Sequence, residues 1–227
     1  MKKIMAIPFI VLMTFISCAQ PSSSSDDRTA TIKKTMENKT MTSTTGGKKT
    51  DTATFANGCF WCTEAIFEQL DGVISAESGY TGGQTANPTY KEVCTGETGH
   101  AECLQIVYDP SKISFDELLE VFWQTHDPTT LNRQGADVGT QYRSGVFYHN
   151  AEQKEKAEKY KTELDKSGAF DSPIVTEITP FTKFYLAEDY HQAYFENNEN
   201  ANPYCKIVIR PKLDKFQKVF KDKLKKH

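Results

Sequence analysis

The chain has 227 residues, of which 38 % are hydrophobic and 25 % charged, the make-up of one good-sized domain with appendages rather than of a disordered polymer or a membrane bundle. A net charge of −3 gives no basic field for nucleic acid and excludes that class of partner. Six cysteines, at positions 18, 59, 62, 94, 103 and 205, are too sparse and unevenly spaced to staple a fold, so chemistry at a few of them is expected.

Lys2 and Lys3 precede an apolar run from Ile4 to Ile16 that only Pro8 and Thr14 interrupt. It has the shape of a secretory signal and is short for a membrane span. The run ends in Phe15-Ile16-Ser17-Cys18, which resembles a bacterial lipobox. The resemblance implies a lipoprotein signal over 1–18, lipidation of Cys18, and an exported protein held by that lipid alone at the periplasmic or cell-surface side. A plain cleaved signal with a coincidental cysteine is the alternative. Residues 19–51 are Ser, Thr, Lys and Asp with few apolar positions, too polar to offset the entropy of ordering, and are expected to form a tether.

Folded sequence is expected over 52–227. Thr52 to Ala56 reads as a strand, and Phe60 to Leu70 as a helix closed by Asp71-Gly72. Val73 to Tyr80 and Glu102 to Tyr108 read as further strands, ended by Gly82-Gly83 and Asp109-Pro110. Ser114 to Gln124 carries Phe115, Leu118, Leu119, Phe122 and Trp123 on one helical face behind a Ser114–Glu117 capping box. A strand at Ser144 to Tyr148 is followed by a charged helix from Ala151 to about Lys166, stopped by Ser167-Gly168. A strand at Ile174 to Ile178, a helix at about Ala187 to Glu196, and a basic helix from Lys212 with Leu213, Phe216, Phe220 and Leu224 in register complete the chain. Strands interleaved with helices indicate a two-layer α+β domain.

Gly58-Cys59-Phe60-Trp61-Cys62 sits where a strand gives way to a helix. Unpaired backbone N–H groups and the helix dipole there favour a thiolate at Cys59. A zinc site lacks a second Cys-x-x-Cys, and c-type haem lacks the following His, position 63 being Thr. A thioredoxin-like dithiol–disulfide oxidoreductase is the rival from Cys-x-x-Cys alone. A carboxylic acid, Glu102, and phenols at Tyr90 and Tyr142 add what a reaction with an oxygen leaving group needs, a proton donor and O–H groups to orient it.

Eight motifs in order carry a family resemblance: Gly58-Cys59-Phe60-Trp61, Gly79-Tyr80-Thr81-Gly82-Gly83, Asn87-Pro88-Thr89-Tyr90, Thr98-Gly99-His100-Ala101-Glu102, His126-Asp127-Pro128, Gly139-Thr140-Gln141-Tyr142-Arg143-Ser144, Ala187-Glu188-Asp189-Tyr190-His191-Gln192 and Asn202-Pro203-Tyr204-Cys205. Together they resemble peptide methionine sulfoxide reductase A. The resemblance implies a two-layer sandwich with a ferredoxin-like mixed sheet core and flanking helices. It also implies thiol-dependent reduction of methionine-S-sulfoxide, free or in proteins, without a cofactor or metal.

By the same resemblance Cys59 attacks the sulfoxide sulfur, Glu102 protonates its oxygen, and Tyr90 and Tyr142 hydrogen-bond that oxygen. Phe60 and Trp61 hold the methyl group, and Asp137 binds substrate backbone or orders the site. The Cys59 sulfenic acid then condenses with a second thiol, and a thioredoxin-like donor reduces the disulfide. Cys62 and Cys205 each match a resolving cysteine of a family subgroup, with Cys62 preferred as the first. Cys94 is expected to pack as a small apolar group, and Cys103 to point away from Glu102 across its strand. Glu64 and His100 are candidates for supporting the site, His126 and His149 are read as structural, and His191 is left open. Nothing reads as a dimer seam, so a monomer is expected.

Overall fold

The computed structural model describes residues 50–226; the apolar leader, Cys18 and nearly all of the tether lie outside the described residues. Strand β1 (Asp51–Asn57) leads into helix α1 (Phe60–Phe67), β2 (Val73–Thr81), the short helix α2 (Tyr90–Val93) and β3 (Ala101–Tyr108). Helix α3 (Phe115–Thr125), the hairpin β4 (Arg133–Gln134) and β5 (Asp137–Val138), β6 (Ser144–Tyr148) and helix α4 (Ala151–Ser167) follow. The chain ends with β7 (Glu177–Pro180), β8 (Tyr185–Leu186), helix α5 (Tyr194–Asn198), a π-helical turn at Cys205–Ile209 and helix α6 (Arg210–Val219).

The main sheet has the order β7-β6-β1-β3-β2-β8. Its four central strands, β6-β1-β3-β2, pair antiparallel, and β7 joins β6 parallel. Strand, helix, hairpin-related strand pair, helix and strand is the ferredoxin-like order expected, and the parallel edge makes the sheet mixed. One hydrophobic cluster fills the space between the sheet and α1 and α3. Phe55 of β1 meets Phe67, Phe115 and Phe122 at ring separations of 5.7, 5.9 and 5.1 Å. These are the tilted arrangements aromatic quadrupoles favour.

Helix α3 starts where Ser114 and Glu117 close their box, Ser114 accepting from the Glu117 N–H at 3.2 Å and Glu117 from the Ser114 N–H at 2.9 Å. In α4, Asn150 caps the first turn and Gly168 takes φ 69° past the last. Its buried stripe is Gln153, Ala157, Tyr160 and Leu164, so the charged residues of this helix form its outer face.

Several elements depart from the sequence reading. The first helix ends at Phe67, three residues early, and the chain turns through Leu70. Ile174 to Thr176 precedes the paired stretch: Val175 donates to the Pro128 carbonyl, and the strand paired with β6 begins only at Glu177. The expected helix at 187–196 is a 3₁₀ turn (Asp189–His191) and the short α5. It breaks because Ala193 adopts φ 48°, its N–H donating to Glu64 Oε1 at 2.9 Å, while the Gln192 amide donates to the Ser78 and Ala187 carbonyls. Leu224 leaves the helical stripe altogether and pairs with Leu70. Among the described residues no helix is long and apolar enough to cross a membrane.

Candidate active site

The turn from β1 into α1 places the first thiol. Gly58 holds φ 95°, and a Cβ there would meet the Gln134 side chain at 2.6 Å. Only glycine accommodates both the dihedral and the hairpin packed against it. Cys59 is the N-cap of α1, and its carbonyl accepts from the Cys62 and Thr63 N–H groups at 3.1 and 3.3 Å. One turn later Cys62 lies on the same side of the helix, and the two thiols share a hydrogen bond.

Glu102 reaches this turn from the start of β3. Its Oε2 accepts from the Phe60 N–H at 3.1 Å, in a site where the carboxyl is 1 % exposed. Burial, with the negative charges of Asp137 and Cys62, outweighs that bond and pushes the carboxyl up to about 8. Glu102 therefore carries a proton at neutral pH. Burial and Glu102 also drive the Tyr90 and Tyr142 phenols well above their usual range, so both stay protonated donors.

The charge within the thiol pair corrects an expectation. Burial first, then the hydrogen bond and negative charge of Cys62 and the charge of Glu102, raise Cys59 well above an ordinary thiol. The hydrogen bond from Cys59 brings Cys62 down to about 7, with Lys212 and Tyr204 assisting and burial and Asp137 opposing. In the ligand-free site the balance therefore favours the proton on Cys59 and the negative charge on Cys62. The helix N-terminus alone favours the reverse, but Cys59 is only 7 % exposed, and desolvation exceeds the dipole.

Aromatic rings wall one side. Phe60 is fully buried, with its ring centroid 5.9 Å from Tyr80, 6.4 Å from Tyr90 and 5.0 Å from His191. Trp61 lies flat on Tyr194 at 3.6 Å and 7°, and its indole N–H donates to His191 Nδ1 at 3.0 Å. That bond fixes the tautomer, since Nδ1 must be bare to accept. Burial holds the His191 imidazole below its ordinary value despite Glu188 nearby. Glu188 in turn accepts from the Tyr90 N–H at 2.8 Å and the Tyr80 hydroxyl at 2.9 Å.

Asp137, on β5, accepts from the Tyr204 hydroxyl at 2.7 Å, and that same phenol lies 4.0 Å from Cys62 Sγ. Tyr204 was named only as part of a motif; its place beside Cys205 in Asn202-Pro203-Tyr204-Cys205 is the signal for it. Glu188 likewise stands within the Ala187-to-Gln192 motif, whereas Tyr194 and Gln134 carried no signal of their own.

The expected residues Cys59, Cys62, Glu102, Tyr90, Tyr142, Phe60, Trp61 and Asp137 thus come together. Cys205 is fully buried in the π-turn and feels the charge of Cys62, which with burial raises its thiol, but it is not part of the hydrogen-bonded thiol pair. Cys94 is exposed rather than packed, because it closes the short α2 at the surface. Cys103 packs with Ala56, Ala101 and Phe147 on the sheet face away from Glu102. Glu64 ties the Ala193 loop to β2 through Ser78, at 3.2 Å, and His100 binds the Gly83 N–H and the Thr85 carbonyl. His126 bridges the Phe122 carbonyl and Ser144, and His149 binds Thr54. None of His100, His126 and His149 touches the thiols.

A thiol–thiolate pair beside a protonated acid and phenols defines a thiol-based oxidoreductase with acid assistance. The family model for peptide methionine sulfoxide reductase matches residues 51–224. The chain is 57 % identical over 175 residues to peptide methionine sulfoxide reductase MsrA 1 of Rhodopirellula baltica, covering 77 % of this chain and 90 % of that one. It is 54 % identical over 177 residues to MsrA of Saccharolobus solfataricus, covering 78 % and 98 %. Among solved structures, reduced Mxr1 from Saccharomyces cerevisiae superposes with a TM-score of 0.63 at 39 % identity, over 70 % of this chain and 91 % of that one. Methionine sulfoxide reductase A of Corynebacterium diphtheriae gives 0.61 at 36 %, over 70 % and 80 %. The chain belongs to the peptide methionine sulfoxide reductase family.

Proposed function

We propose that the protein reduces methionine-S-sulfoxide, free or in oxidised proteins, to methionine. The observation that carries the reading is the buried Glu102, which holds its proton at neutral pH against the Cys59 turn. A plain dithiol exchanger has no use for such an acid, because a thiolate leaves without protonation.

The sulfoxide oxygen sits among Glu102, Tyr90 and Tyr142, its methyl group against Phe60 and Trp61, and its peptide near Asp137. Cys59 attacks the sulfur as Glu102 gives its proton to the oxygen and takes the Cys59 proton in exchange. Methionine leaves, and Cys59 is a sulfenic acid. Cys62, one turn away and with its thiol lowered from the ordinary range, is the first resolving thiol. It forms the S–S bond while the hydroxide departs with the Glu102 proton as water. A thioredoxin-like dithiol reduces the disulfide and returns both protons. Cys205, buried beside the same helix, serves as a second acceptor that carries the disulfide outward.

The protein is read as an exported, monomeric repair enzyme anchored through Cys18. Support for the anchor is the apolar run ending at Cys18.

Incubating the chain with an oxidised peptide and dithiothreitol, with dimedone as sulfenate trap, tests the reaction. Methionine formation with dimedone on Cys59, most visible in Cys62→Ser, is expected. Disulfide exchange without methionine formation would establish the dithiol oxidoreductase instead.

A further inference from the structure

Helix α1 carries a buried acid that the reaction does not use. Glu64 stands three residues after Trp61 and two after Cys62, and it is 4 % exposed. Positions three apart on a helix are neighbours, so Glu64 and Trp61 leave adjacent points of α1. The Glu64 Oε2 accepts from the Ser78 hydroxyl of β2 at 3.2 Å, and its Oε1 accepts from the Ala193 N–H at 2.9 Å. The Tyr194 N–H bonds the same carboxyl. All of these partners are neutral groups.

Burying a carboxyl among neutral partners is costly, and what the fold gains for it here is a grip on one turn. Ala193 adopts φ 48°, left-handed backbone that a residue with a Cβ rarely takes. Both contacts that hold the Trp61 indole hang from that turn. His191, two residues earlier, accepts from the indole N–H at 3.0 Å, and Tyr194, the next residue, lies flat on the ring at 3.6 Å. Gln192 ties the turn to β2, its side chain accepting from the Ser78 N–H at 3.1 Å and donating to the Ser78 carbonyl at 3.0 Å. Glu64 ties it to α1, the helix that carries the indole. We propose that Glu64 is a positioning residue that pins the Ala193 turn and, through His191 and Tyr194, sets the Trp61 ring for the substrate methyl group.

The inference rests on the reading of Trp61 as a wall of the methyl pocket. Glu64 transfers nothing and acts at the binding stage. With the turn released, the indole loses its acceptor and its stacking partner together, and the sulfoxide is held less well. Glu102 keeps its bond to the Phe60 N–H, so the chemistry at Cys59 is left in place.

Glu64→Leu leaves the Ala193 N–H without an acceptor, and Glu64→Gln supplies one again. In single turnovers of the full chain with methionine sulfoxide and no reductant, the half-saturating sulfoxide concentration is expected to rise about tenfold in Glu64→Leu, equivalent to ~1.4 kcal/mol. A hydrogen bond to a charged group contributes about that much. The rate of methionine release at saturation should hold, and Glu64→Gln should recover most of the binding. Tryptophan emission reads the indole without substrate. Trp123 is fully buried on α3 and gives a constant background, so a shift to longer wavelength in Glu64→Leu, reversed in Glu64→Gln, is expected from a freed Trp61. Glu64→Asp, which keeps the charge but draws it back from the turn, should move both readouts the same way by less, and stands in if the leucine variant does not fold. Unchanged emission, or a release rate that falls at saturation with the half-saturating concentration unmoved, would overturn the proposal. A parent chain that releases no methionine would instead refute the proposed reaction, a failure distinct from an unmoved emission.

Discussion

The indole N–H of Trp61 is tied to His191 Nδ1 at 3.0 Å across 130 positions of sequence. The histidine, 1 % exposed, also lies 4.4 Å from the Tyr90 ring. A residue outside the thiol pair therefore sets the angle of the ring proposed to hold the substrate methyl and contacts the phenol proposed to hold its oxygen. Replacing His191 by Phe keeps a ring but leaves the indole N–H without its acceptor, at a cost of ~1 kcal/mol or more. We expect KM for the sulfoxide to rise about fivefold with Cys59 still able to form its disulfide. An unchanged KM would show that Tyr194 stacking alone orients Trp61.

Glu102→Gln keeps the shape of the carboxyl and removes its proton. Methionine formation should fall by about 10² to 10⁴-fold, the usual worth of a positioned acid. In the parent the rate should decline as pH rises through about 8, where Glu102 loses its proton, and in the variant that decline should be absent. A variant that turns over like the parent would remove Glu102 as the acid of the reaction.

Cys59→Ser should abolish turnover while retaining the far-UV and thermal-melt signature of the parent. Serine at this pH provides no anion to attack sulfur and forms no disulfide. Residual turnover in this variant would remove Cys59 as the nucleophile.

Stability should carry the imprint of His126. Burial brings its imidazole down to about 3, against about 6.5 in the unfolded chain. Between those values the unfolded state binds the extra proton, so stability falls as pH drops below about 6.5 and levels off near 3. Denaturant midpoints measured across that range should show the slope, and His126→Gln should flatten it. A slope that persists in the variant would assign it to other groups.

Cys18→Ala should release the protein into the soluble fraction of its host. Continued membrane association would place the attachment elsewhere, with the basic C-terminal helix as the next candidate.

How far the sequence reached depends on whether an element is shaped by its own residues. The Ser114–Glu117 box and the Phe115-to-Trp123 stripe are local, and α3 is found where they point. The Thr89–Glu92 box starts a helix of only four residues, too short for periodicity to reveal. Ala193 breaks the expected helix because Glu64 captures its N–H and the Gln192 side chain captures the Ala187 carbonyl, groups that the helix would need, and the Glu64 bond is a tertiary effect. The thiols show the same division. Cys59 at a strand-to-helix turn was readable from Gly58 onward, but which sulfur holds the proton depends on burial and on Glu102, Asp137 and Lys212. Cys94 was misplaced because its surroundings come from the short α2.

The most direct test is turnover of the two separated methionine sulfoxide epimers by the purified chain, with dithiothreitol as reductant. The account predicts reduction of the S epimer and none of the R epimer. Failure of the folded protein to reduce either one would contradict it.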